Sequence, residues 1–85
     1  MNHLAFHPFP DCFVVITDNF KYEHRYRLSN ICGLACHLYN NRWLIYITLK
    51  DAEPMEYKYV QVNSLEEGNR IIESINRKKL ELGIE

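Results

Sequence analysis

The chain is poor in the residues that most often carry recognisable chemistry. Its three glycines, Gly33, Gly68 and Gly83, stand far apart, so none of the common glycine-rich loops is there to cradle a phosphate. No run approaches the roughly 20 apolar residues of a membrane-spanning helix. The opening residues lack a basic segment, and Pro8 and Pro10 interrupt the apolar stretch there, so the start does not read as a secretory signal. Cysteine is scarce and odd in number, Cys12, Cys32 and Cys36, which points to free thiols in a reducing cytoplasm. Charge of one sign is lacking too: a formal net charge of −1 and a pI near 6.4 supply no global attraction to nucleic acid or anionic lipid.

What is there is an ordinary globular composition. With 85 residues, 47% hydrophobic and 25% charged, the chain has one core's worth of apolar side chains and too many of them for a disordered segment. An aromatic share of 13% suits a β-rich protein. Residues 1–10, with Phe6 and Phe9 around two prolines, read as an extended N-terminal arm, and residues 11–85 as a single small domain.

The densest β-branched and aromatic run is Arg42-Trp43-Leu44-Ile45-Tyr46-Ile47-Thr48-Leu49. Its odd positions are all large and apolar, the pattern of a central strand with one fully buried face. Asn40-Asn41 ahead of it tolerates the positive φ of a tight hairpin, which makes residues 31–39 its antiparallel neighbour, with Cys32, Leu34, Cys36 and Leu38 on the apolar face. Residues 11–17 read as a first strand. Residues 20–28 read as a second, placing Phe20, Tyr22, His24, Tyr26 and Leu28 on one face and Lys21, Glu23, Arg25 and Arg27 on the other. A two-residue turn at Ser29-Asn30 follows. Residues 55–62 form a last strand whose apolar parity changes near Tyr59-Val60, the pattern of a bulge or a twist.

A closing helix has the best-specified start in the chain. Ser64 followed by Glu67 is a capping box, Glu66 adds charge in the first turn, and Gly83 fits the position just past the end. Leu65, Ile72, Ile75 and Leu82 make up most of its apolar stripe, with Gly68 and Ile71 beside it. The Arg77-Lys78-Lys79 cluster complements the helix dipole.

Over residues 20–80 this pattern resembles the short bacterial pleckstrin-homology-like (PH-like) domains. Leu28-Ser29-Asn30-Ile31 turns into a new strand as theirs does, a hairpin leads to a strand like Trp43 to Leu49, and a final strand runs into a helix beginning Ser64-Leu65-Glu66-Glu67. The resemblance implies an α+β fold, a strongly bent antiparallel sheet or partial barrel closed by one C-terminal helix. A full PH barrel has seven strands and five are counted here, so both the open sheet and the partial barrel stay in play.

No constellation reaches a catalytic, metal or cofactor signature, and the expectation is a non-enzymatic chain with no cofactor. On a strand Cys32 and Cys36 stand about 13 Å apart, too far to share a metal ion or a disulfide. Pairing Cys12 or Cys36 with His24 or His37 lacks an orienting group and an oxyanion site. The favoured function is a protein-interaction module, of the kind a phage-encoded or accessory protein uses to bind and modulate a larger target. Binding or self-association would run through a sheet edge, residues 11–17 or 55–62, with Tyr46, Tyr57 and Tyr59 as anchors. The less favoured alternative is a nucleic-acid or anionic-ligand surface made by Lys21, Arg25 and Arg27 on one strand face, a row that Glu23 interrupts.

Overall fold

The computed structural model describes residues 3–7, 12–18, 20–50 and 58–84. They form strands β1 (His3–His7), β2 (Phe13–Thr17), β3 (Glu23–Arg27), β4 (Ile31–Tyr39), β5 (Arg42–Leu49) and β6 (Lys58–Val62), then helix α1 (Leu65–Glu81). The strands make two separate three-stranded antiparallel sheets, β1-β2-β3 and β4-β5-β6. The expected single five-stranded bent sheet or partial barrel is therefore wrong, for two reasons. Residues 3–7, within the segment read as an arm, are a strand laddered to β2 from His3↔Thr17 to His7↔Phe13. In addition, Ser29-Asn30 is not a hairpin turn: Leu28–Asn30 is a short 3₁₀ turn with Leu28 buried at its start. The Leu28 amide donates to the Cys12 carbonyl at 2.8 Å, and the Asn30 carbonyl accepts from the Lys50 amide at 2.8 Å. Each end of the turn is thus tied to a different sheet, so β3 and β4 cannot pair. The split also makes residues 13–17 a central strand rather than the edge anticipated for them.

In the second sheet β5 is central, as its alternation indicates. Ile45 and Ile47 are buried and pack with Val60 and Val62 of β6, Val14 and Ile16 of β2, and Ile71 and Ile75 of α1 in one core. The Asn40-Asn41 hairpin turns with positive φ at both residues, 50° and 62°, the geometry of a type I′ turn. At the far end of that ladder Ile31 pairs with Leu49 but Gly33 with Thr48. Cys32 is the extra residue of a β-bulge, which leaves it exposed instead of on the apolar face, while Ile31 turns inward and is buried. The bulge expected near Tyr59-Val60 is absent, since the register runs unbroken from Trp43↔Val62 to Ile47↔Lys58. Val60 and Val62 face the core, and Tyr59 faces away from it.

The helix is capped as read. The Glu67 amide donates to Ser64 Oγ at 3.1 Å, and Glu67 Oε2 accepts from the Asn63 amide at 3.2 Å. At the other end Gly83 takes φ +69°, its amide donates to the Leu80 carbonyl, and the Ile84 amide donates to the Lys79 carbonyl. Those two bonds are the Schellman pair. The buried stripe is rotated from the one read off the sequence: Glu67, Gly68, Ile71 and Ile75 face inward, while Leu65 and Leu82 are exposed. Two contacts set that rotation. Gly68 rests on β4 so closely that a Cβ there would lie 2.4 Å from Cys36 Sγ, and Lys79 Nζ donates to the Ile31 carbonyl.

The β2–β3 connection also departs from expectation. Asp18, buried at the end of β2, accepts from the Phe20 amide at 2.9 Å and the Tyr22 amide at 3.0 Å on Oδ1, and from His24 Nε2 at 2.9 Å on Oδ2. This carboxylate holds residues 20–22 in a loop, with Lys21 at φ 68°, and the strand begins only at Glu23. Phe20 and Tyr22 are therefore 62% and 69% exposed instead of lining the sheet. Burial alone would raise the Asp18 carboxyl, but the His24 hydrogen bond, the two amides and the imidazole charge together hold it below the ordinary aspartate range.

Two outcomes follow from these contacts. Gly68→Ala should cost about 1–3 kcal/mol by overpacking, and measurably less in a Cys36→Ala background; equal urea-unfolding losses in both would sink the role given to the Sγ contact. Because the native Asp18 pKa lies below the unfolded value of about 3.9, its stabilisation is full above that value and disappears as pH falls through the native one. Asp18→Asn should lower stability at pH 7 and flatten that acid limb in a pH series of denaturation midpoints.

Candidate interaction surface

Pleating sends alternate residues of the second sheet to opposite sides, and the helix covers only one of them. The side away from α1 carries His37 and Tyr39 of β4, Leu44 and Tyr46 of β5, and Tyr59 and Gln61 of β6. The ladder aligns them in rows, Ala35-Tyr46-Tyr59 and His37-Leu44-Gln61, with Arg42 opposite Tyr39. Tyr46 and Tyr59 meet with ring centroids 6.4 Å apart at 50°, and His37 meets Tyr46 at 5.7 Å and 52°. These tilted arrangements are favourable aromatic geometry. Leu44, between His37 and Gln61 in its row, is only 7% exposed, although it points away from the core, whereas Tyr39 and Tyr59 stand 60% and 56% exposed. Together with Arg42 and Gln61, Leu44 and the three tyrosines line a depression of about 470 Å³.

The residues singled out from the sequence fall in two places. Tyr46 and Tyr59 are cross-strand partners in this surface, and Tyr57 lies outside the described residues. Lys21, Arg25 and Arg27 belong to the other sheet. Arg25 and Arg27 share its exposed face with Glu23, whose Oε2 is 3.7 Å from Arg25 Nη2, and Lys21 sits in the β2–β3 loop. Tyr39, Arg42, Leu44 and Gln61 were missed. Their signal was the Asn40-Asn41 hairpin itself: once its register is known, odd residues of β4 and even residues of β5 share a face.

A second depression, about 540 Å³, lies at the start of α1 beside Asn63, Ser64, Glu66, Glu67 and Arg70. Ser64 and Glu67 there serve the helix cap. No group of three or more His, Cys, Asp or Glu side chains is placed to hold a metal ion among the described residues. The Asp18–His24 pair shapes a loop, and burial pushes the Cys36 thiol up, away from the low pKa of a reactive nucleophile. No described helix is long and apolar enough to cross a membrane. No family model, curated protein or solved structure matches the chain.

The three thiols differ in exposure, Cys32 exposed and Cys12 and Cys36 half-buried. With Ellman's reagent at neutral pH, Cys32 should react in the fastest phase and Cys36 should lag until the chain unfolds. Cys32→Ser should erase the fast phase; its persistence would contradict the bulge at Cys32.

Proposed function

We propose that this chain is a non-enzymatic protein-interaction module that binds and modulates a larger target through the outer face of the β4-β5-β6 sheet and the adjoining β6 edge. The observation that carries this reading is the Tyr46–Tyr59 pair beside Leu44, on the sheet face that α1 leaves bare. Tyrosines fixed against one another lose little side-chain freedom on binding and present both an apolar ring and a hydroxyl donor, which is why they recur as anchors at interfaces. Leu44 supplies an apolar centre, and Tyr39, Arg42 and Gln61 a polar margin, the anatomy of an interface patch. Because β6 lies at the edge of its sheet, a partner strand added there would run alongside Tyr59.

The test is a pulldown from native lysate with wild-type protein, a Tyr46→Ala/Tyr59→Ala variant and an Arg25→Glu/Arg27→Glu variant. Loss of two anchors should weaken capture of a protein partner by more than about tenfold, and the arginine variant should capture it normally. Equal capture by the tyrosine variant and wild type would reject this surface. An arginine-dependent gel shift at low salt would instead favour a polyanion on the other sheet.

A further inference from the structure

Within the reading of the tyrosine face as the binding surface, we infer that its partner is a short extended peptide segment bearing a carboxylate beside an apolar side chain. The depression has no acidic residue in its lining, and its one formal charge is Arg42. The chain as a whole carries −1, so this patch runs against the charge of the rest of the molecule.

The donors match a carboxylate. A guanidinium presents a planar fork of N–H groups that a carboxylate accepts in two parallel bonds. Tyr39, Tyr46 and Tyr59 add phenolic hydroxyls that can donate. Leu44 gives the depression an apolar floor, where burying a side chain removes hydrocarbon from water. A basic segment would instead face Arg42 with nothing to neutralise it.

The shape points to an extended segment. The depression runs from the β4–β5 hairpin across β5 to β6, which is one of the two edge strands of its sheet. A peptide laid along that edge exposes alternate side chains to one face, so residues two apart reach the same side as Tyr59 and Gln61. One of them fills the space over Leu44 and the other meets Arg42. Single-stranded nucleic acid also stacks on exposed aromatics, but its backbone needs a groove of several cations, and one arginine in the lining does not make one.

The experiment is selection from a displayed library of random twelve-residue peptides on the full chain, followed by affinity measurements on synthetic versions of the selected sequences. Selected peptides should carry Asp or Glu next to an apolar residue. They should lose about tenfold or more in affinity for Arg42→Glu and for Tyr46→Ala/Tyr59→Ala, and a version with Lys in place of the acid should regain affinity for Arg42→Glu. Arg42 is exposed, so its variants are expected to fold, and Arg42→Gln with an unchanged urea midpoint controls for that. Peptides that need the tyrosines but carry no acid, or that ignore Arg42→Glu, would overturn the carboxylate partner and leave the surface standing. Peptides indifferent to the tyrosines, or no enrichment at all, would overturn both. Tyrosine-dependent binding of a fluorescent single-stranded oligonucleotide in preference to the peptides would overturn the peptide partner in favour of nucleic acid.

Discussion

The contact of Gly68 with Cys36 governs much of this fold. A glycine inside a helix costs about 1 kcal/mol relative to alanine, and here it lets the helix backbone settle directly onto β4, where any Cβ would collide with Sγ. That close approach sets the rotation of α1, turns Ile71 and Ile75 onto Ile45, Val60 and Val62, and leaves Leu65 and Leu82 outside. It also decides which side of the β4-β5-β6 sheet becomes interior. Once the helix has taken one side, the tyrosines on the other have no described element over them.

The buried core and the candidate surface are thus two sides of the same three strands. Along β5, Ile45 and Ile47 close one side while Leu44 and Tyr46 build the other. The same ladder that buries Val60 against Ile45 sets Tyr59 against Tyr46. A surface organised in this way is rigid because its strands are held from behind, and a rigid aromatic patch loses less entropy on binding than a mobile one. The other sheet contributes differently. Its central strand is buried on both sides, with Val14, Val15 and Ile16 all inside, and Arg25 and Arg27 lie on the face they share with Glu23.

Much of this was legible where the signal is local. The Asn40-Asn41 turn, the alternation of β5, the Ser64–Glu67 cap and the Gly83 stop each depend on a few neighbouring residues whose chemistry leaves few choices. Tyr46 and Tyr59 could be singled out as interface types from the residues alone. The misses came from contacts between distant segments. Phe20 and Tyr22 alternate like strand residues, but the Asp18 carboxylate captures their amides and bends them into a loop. Cys32 has the parity of a core position, but the bulge shifts it outward. Leu28 looked like the end of a strand, yet it is buried in the turn that separates the two sheets.

By itself, the sequence determined that this is a small α+β chain with a hairpin at residues 40–41, a central strand behind it and a capped C-terminal helix, because turn, period and cap are properties of adjacent residues. Tertiary structure alone decided that the strands divide into two sheets, that Tyr46 meets Tyr59 around Leu44, and that Arg42 rather than Arg25 or Arg27 stands beside them. Those outcomes depend on which segments pair and how closely the helix approaches, and such pairings are set by packing between residues far apart in the chain.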